Sequence, residues 1–169
     1  MSFSIYSASV PIFLRSLNNI LTWLDKAEAH AEARGFDTGN YLELRLAPDM
    51  FPFVKQIRVV SDTSKSSVAR LAGIEAPSWA DEEASLDELR ERIKTTIAFV
   101  ESVPKAKFEG AESREIVMQA GPDRSFTFTG ETYLQGFALP NFFFHASMVY
   151  ALLRQASVAL GKMDFLGAP

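Results

Sequence analysis

The chain has 169 residues, with 17 basic and 21 acidic side chains and a formal net charge of −4. This length suits one domain over residues 1–169, and the acidic surface argues against a nucleic-acid partner. The sequence has no Cys, which excludes disulfides, thiolate ligands and cysteine nucleophiles and fits a cytoplasmic protein, and it has no uncharged apolar run long enough to predict a membrane span.

The first predicted helix follows from apolar residues that recur every three or four positions between residues 10 and 31. Pro11 lies near its start, where the missing N–H costs little. Gly35 predicts its end, because glycine commonly follows the last helical residue.

The second predicted helix begins at Pro48 and Asp49, after a short helix near residues 41–46. Proline suits the first helical position, and a carboxylate suits the positive end of the helix dipole. The apolar face of this helix also carries serines, which indicate a close approach to another helix or a polar spot inside. Gly73 predicts its end.

A third helix and a β-hairpin are predicted in the middle of the chain. Ser85 and Glu88 form a capping-box pattern before an apolar stripe. Two short runs, Glu115–Gln119 and Ser125–Thr129, flank a turn cluster at residues 120–124 and predict a hairpin. A lone hairpin is marginally stable in water, so it must pack on the helices or pair with another chain.

The last predicted helical stretch covers residues 131–139, and Pro140 starts or kinks a long helix that ends near Gly161. Residues 161–169 are predicted to form a strap over the surface. Three long helices before the hairpin and one after it predict an all-α fold. Its architecture is an antiparallel four-helix bundle with a small β-hairpin between the third and last long helices.

His145 is the main candidate for chemistry. At about 100° per residue, its place on the last helix turns the imidazole inward, one turn after Asn141. Such a ring is either a hydrogen-bonded core residue, or a metal ligand or acid–base group in a cavity. The other histidine, His30, is predicted to lie on the surface at the negative end of the first helix.

Polar residues of the second predicted helix lie on one flank of its apolar stripe. Asp49 and Gln56 are two turns apart there and can reach a neighbouring pocket, although a first-turn carboxylate and a boundary amide explain the pattern as well. Asp62 and Lys65 are interpreted as a solvated pair. No phosphate loop and no G-x-S-x-G pattern occurs, so no catalytic residue is assigned, and His145 is the metal ligand if there is one.

Three consecutive phenylalanines, residues 142–144, face different directions around the last helix. A helix that is apolar all round is buried on more than one side. Either the hairpin or a subunit interface covers it, and the sequence therefore predicts a homodimer.

Several motifs together resemble a known family. They are the segments at residues 46–52, 137–145, 150–154 and 160–167. Over nearly its whole length the chain resembles a bacterial branch of the DinB/YfiT-like superfamily of metalloenzymes, a branch known only as a domain of unknown function. The resemblance implies a four-helix bundle that is often dimeric.

The resemblance also implies a metal site, and this sequence departs from it. Better-known relatives hold a divalent metal with one histidine from the second helix and two from an H-x-x-x-H motif on the last long helix, and some act as thiol-dependent transferases or hydrolases. Here His145 matches the first histidine of that motif, Val149 stands at the second, and Gln56 lies in the region of the remaining ligand. Neither Val nor a neutral amide replaces imidazole well, so the site is degenerate.

Three hypotheses about function follow. The leading one is a protein without a cofactor that binds an unidentified small molecule in a cavity near His145, Asn141, Gln56 and Asp49. The second is a divalent-metal-dependent transferase or hydrolase acting on a thiol-linked substrate, with His145 and carboxylates as ligands. The third is a homodimeric interaction module without a small-molecule site. The sequence leaves open whether the protein is an enzyme.

Overall fold

The computed structural model describes residues 4–119, 121 and 123–167. Within this part the longer helices are α1 Val10–Arg34, α2 Phe53–Ala72, α3 Leu86–Ser102 and α5 Leu139–Gln155. The shorter elements are 3-10 helices at Thr38–Tyr41 and Lys105–Phe108, strands β1 Glu115–Gln119 and β2 Ser125–Thr129, and helices α4 Gly130–Tyr133 and α6 Lys162–Leu166. The fold is mostly helical with a small hairpin, as predicted.

The local signals for the helix ends at residues 35, 73 and 85 are confirmed. Gly35 and Gly73 have φ values of 71° and 67° and end α1 and α2 in the left-handed conformation that glycine adopts readily. At the start of α3, the Ser85 hydroxyl accepts a hydrogen bond from the Glu88 N–H at 3.2 Å. The Glu88 carboxylate in turn accepts from the Ala84 N–H, so the first turn of α3 is capped.

The predicted start of α2 is wrong. The helix begins at Phe53, and Pro48 and Asp49 lie in the loop before it. Pro52 explains the difference, because proline disfavours helical backbone in the residue before it and would break a helix running from Pro48. Asp49 is therefore a loop residue and not a first-turn carboxylate.

The hairpin is confirmed, with β1 and β2 paired antiparallel and Val117 opposite Thr127. Two residues of the predicted turn, Ala120 and Pro122, lie outside the described residues. The Phe128 ring packs against aromatic rings of the following helical stretch at centroid distances of 5.9 and 6.3 Å. The hairpin therefore rests on the helical body.

The last helical stretch runs from α4 through a π-helical segment, Leu134–Ala138, into α5. Pro140 lies in the first turn of α5, where it cannot donate to the preceding turn, and a widened π turn accommodates this. The predicted end near Gly161 is wrong, because α5 ends at Gln155 and Ser157 follows with a left-handed φ of 69°. The tail then forms α6 against α1, with the Phe165 ring stacked on Trp23 at 5.6 Å.

The helical stretch Gly130–Gln155 is long and apolar enough to cross a membrane by length and composition. One face of it, with Phe142, Val149 and Leu153, is fully buried in the protein core, where α5 contacts α1 and α2. A core helix meets the same length and composition criteria.

Charged side chains fix the loop between α2 and α3. The Arg92 side chain is 3% exposed and pairs with three carboxylates, the nearest being Glu83 at 2.7 Å. The interpretation of Asp62 and Lys65 as a solvated pair is wrong for the lysine, which is 5% exposed. Its Nζ lies 4.3 Å from the centre of the Trp79 ring, because the loop folds over this part of α2.

Candidate functional site

The imidazole of His145 points inward from α5 towards α2. Its Nδ1 lies 2.6 Å from Oε1 of Gln56, and the two residues are only 9% and 2% exposed. The Gln56 amide is held in turn, because its Nε2 donates to the Phe51 carbonyl at 3.0 Å. The structure thus brings together the two positions that the sequence singled out on α2 and α5.

This chain of hydrogen bonds fixes the tautomer of His145. A carbonyl oxygen only accepts, so the NH₂ of Gln56 must face Phe51 and the amide oxygen must face His145. Nδ1 of the imidazole therefore carries the proton and donates it to Gln56. Nε2 is left with a free lone pair.

The Nε2 atom reaches solvent. Among the described residues it has no hydrogen-bond partner, and none of their buried side-chain nitrogen or oxygen atoms lacks a partner. Nε2 is therefore not a buried atom. Burial of the rest of the ring lowers the pKa of His145 below its ordinary value, which favours the neutral imidazole at pH 7.

An open pocket of about 220 Å³ lies at this edge of His145 and is lined by Asp49, Met50, Phe51, Gln56, Phe144 and His145. The Phe51 ring is nearly parallel to the imidazole at a centroid distance of 6.3 Å. Phe144 meets it edge to face at 5.1 Å. The imidazole is thus bordered by two phenylalanine rings, each about half exposed.

Asp49 lines this pocket, but it belongs to a different structural element from the one predicted. The sequence placed it on α2, whereas the loop before Pro52 carries it to the pocket. Arg45 supports that loop, because its Nη1 donates to the Met50 carbonyl at 2.6 Å. The carboxylate is therefore a lining group even though the helix assignment behind the prediction is wrong.

Asn141 is not among the residues that line the pocket, contrary to the prediction. Its Nδ2 donates to Thr63 Oγ1 on α2 at 2.9 Å. Asn141 precedes His145 by one turn, while Thr63 follows Gln56 by two, so α2 and α5 run in opposite directions. The Asn141 amide therefore links α5 to α2 through a hydrogen bond.

The residues present do not fit a resident metal ion of the kind held by the superfamily. Val149 is fully buried and offers no ligand, and the Gln56 oxygen is already bonded to His145. In the part of the chain that the structure describes, no three His, Cys, Asp or Glu side chains are grouped to hold a metal. His145 and Asp49 fall short of the three protein ligands that catalytic zinc sites use.

His30 has a structural contact instead of the free surface position that was predicted. It is half-buried, and its Nδ1 lies 2.7 Å from the Tyr41 hydroxyl. The Tyr41 hydroxyl also donates to the Ala27 carbonyl at 3.1 Å. Because the 3-10 helix Thr38–Tyr41 folds back on α1, the His30 ring packs against the rings of Phe36 and Tyr41.

Phe51 and Phe144 were not recognised as pocket residues from the sequence. The available signal was Pro52, which keeps Phe51 out of the helix and leaves its carbonyl to accept from a side chain. For Phe144 the signal was its position directly before His145, at the end of a run of aromatic residues.

Comparisons with known proteins agree with the fold. The profile of the family described as Domain of unknown function (DUF1993) matches residues 5–166. The chain is 36% identical to a DinB family member protein from Shewanella denitrificans whose crystal structure matches with a TM-score of 0.91, over 97% of this chain and 92% of that one. No curated protein matches.

Proposed function

The chain belongs to the family described as Domain of unknown function (DUF1993) and has a DinB-like fold, and from that premise we propose that it binds a small organic molecule without a resident metal. The binding site is the pocket at His145 and Gln56, on an antiparallel four-helix bundle. The observation that carries the proposal is the 2.6 Å hydrogen bond between these side chains, because it leaves the Nε2 lone pair for a ligand.

The chemistry of the pocket favours binding through one directed polar contact. A neutral imidazole with a fixed tautomer is an orienting acceptor for an N–H or O–H group of a ligand. The half-exposed rings of Phe51 and Phe144 add apolar surface beside the imidazole. Ligand pockets commonly combine apolar walls with a few placed polar groups.

The test is a fragment titration followed by ¹H–¹⁵N NMR spectra of the full chain. We expect binding fragments to shift the amide signals of Phe51, Gln56 and Phe144. The His145→Leu variant should lose these shifts, whereas Ser147→Ala, a change on the same helix outside the pocket, should keep them. Equal binding by the His145→Leu variant, or a library that leaves these signals unmoved, contradicts the proposal.

A second candidate function, a homodimeric interaction module, is favoured by exposed apolar side chains at the pocket and in the loop that carries Phe51. Leu46 and Phe51 in the loop before α2 are each 49% exposed, and Phe144 on α5 is 52% exposed. Clustered exposed apolar residues are typical of interaction sites.

Light scattering after size exclusion tests this alternative. If the patch forms a dimer interface, Phe144→Ser dissociates the dimer. The matched variant Phe126→Ser, which changes a hairpin phenylalanine that is 39% exposed, leaves it intact. A wild-type chain that is monomeric over the whole concentration range contradicts the interaction hypothesis.

A further inference from the structure

The side-chain polar atoms that the pocket offers to a ligand are acceptors. Nε2 of His145 presents a lone pair, and the Asp49 side chain adds a carboxylate. The buried Gln56 amide already donates to the Phe51 carbonyl. The nearby cation, Arg45, points its Nη1 at the Met50 carbonyl and is not among the lining residues.

The acceptor character of Nε2 cannot be reversed by a simple rotation. Making Nε2 a donor would move the imidazole proton off Nδ1 and turn the Gln56 amide over, so that its NH₂ donates to Nδ1 and its oxygen faces the Phe51 carbonyl. The hydrogen bond to the Phe51 carbonyl would then be lost, with two acceptors facing each other at a site where Gln56 is 2% exposed. Leaving buried polar groups unpaired is costly, so the pocket keeps Nε2 as an acceptor.

The aromatic walls add a preference for the same kind of ligand. Phe51 and Phe144 both border the imidazole, and the faces of aromatic rings attract cations. The pocket volume, about 220 Å³, is below the roughly 300–1,000 Å³ typical of sites for drug-sized ligands. A small ligand with one polar head suits these dimensions.

We infer that the pocket selects small organic cations with N–H donors, such as an ammonium or amidinium group on an aromatic or apolar body. The cationic head donates to His145 Nε2 and approaches the Asp49 carboxylate, while the body lies against Phe51 and Phe144. Carboxylates and phosphates are disfavoured, because they bring acceptors and negative charge to a pocket whose side chains already supply both. This inference rests on the proposed function and names its ligand class.

Three probes of the same shape test the inference on the full chain: benzylammonium, benzyl alcohol and benzoate. In NMR titrations at pH 7.5, we expect benzylammonium to bind at least about tenfold more tightly than benzoate because of its attraction to the Asp49 carboxylate, with benzyl alcohol between them. Asp49→Asn should remove most of the advantage of the cation over the alcohol. The matched variant Glu43→Gln changes an exposed carboxylate of the same loop. Glu43 does not line the pocket, so this variant should preserve the advantage.

The His145 ring provides a second readout. Two-bond ¹H–¹⁵N correlations should show the Nδ1–H tautomer, with the Nε2 signal moving on addition of benzylammonium. An Nε2–H tautomer in the free protein, or benzoate binding as tightly as benzylammonium, overturns the ligand class while leaving a binding pocket in place. Failure of all three probes to shift pocket signals overturns both the proposed function and this inference.

Discussion

Replacing Gln56 by Leu tests how strongly the buried hydrogen bond organises the pocket. The variant removes the acceptor of His145 Nδ1–H and the donor to the Phe51 carbonyl. Because His145 is 9% exposed, water replaces the lost partner poorly. An unpaired buried donor costs about 1–3 kcal/mol, and the similar size of Leu adds little cavity cost. We expect the free energy of unfolding to fall by about 2 kcal/mol.

A double-mutant cycle separates this bond from general packing. His145→Leu alone leaves the Gln56 amide oxygen unpaired, so we expect a loss of similar size. The double variant removes both polar groups, and its loss should be smaller than the sum of the single losses by about 1–2 kcal/mol. The measurement is urea unfolding at pH 7.5, with an unchanged m-value as the condition for comparison. Additive losses, or a Gln56→Leu cost below about 0.5 kcal/mol, would refute the reasoning.

Three further predictions concern pH, charge and packing. Burial lowers the pKa of His145 in the folded protein, so as the pH drops the unfolded chain protonates this histidine before the folded chain does. Urea unfolding should therefore show a larger loss of stability for the wild type than for His145→Leu between about pH 7.5 and 5.5. Arg92→Met should cost about 1–3 kcal/mol through the loss of buried hydrogen bonds, since each of its three carboxylates keeps a second cationic partner. Lys94→Met, in an exposed pair, should cost less than about 0.5 kcal/mol, and equal melting temperatures would contradict this. Gly130→Ala should cost about 1–3 kcal/mol, because its Cβ would lie 1.8 Å from a backbone carbonyl oxygen. Gly136→Ala, with nothing within 4 Å, should be neutral or stabilising by about 0.5–1 kcal/mol in the same thermal assay.

Local signals predicted the parts of the fold that local physics decides. The spacing of apolar residues and Gly35 gave α1, the Ser85 cap gave the start of α3, and alternating runs around a turn gave the hairpin. The start of α2 was missed because Pro48 and Pro52 each mark a possible start of the helix. Pro48 is acceptable in a first turn, but Pro52 excludes a helix through both. The end of α5 depends on a left-handed Ser157, a conformation that a serine rarely adopts.

The candidate site was predictable where helix periodicity and family resemblance agreed. Both placed His145 inward, and the resemblance put Gln56 in the matching region of α2, where the two side chains now form a hydrogen bond. Asn141 lies on the same face but is bonded to Thr63, a choice that depends on how α2 and α5 pack. The buried position of Arg92 was also missed, because its partners come from a distant helix and a loop. Such pairings are set by tertiary structure.

Metal analysis of the untagged protein is the most direct test of the central claim, that the His145 pocket binds without a resident metal. Plasma mass spectrometry should be applied to wild type and His145→Ala after incubation with zinc, nickel and manganese followed by desalting. We predict far less than one equivalent of any transition metal, and no difference between the two proteins. A near-stoichiometric metal that the His145→Ala variant loses would contradict the account and favour a metal-dependent transferase or hydrolase.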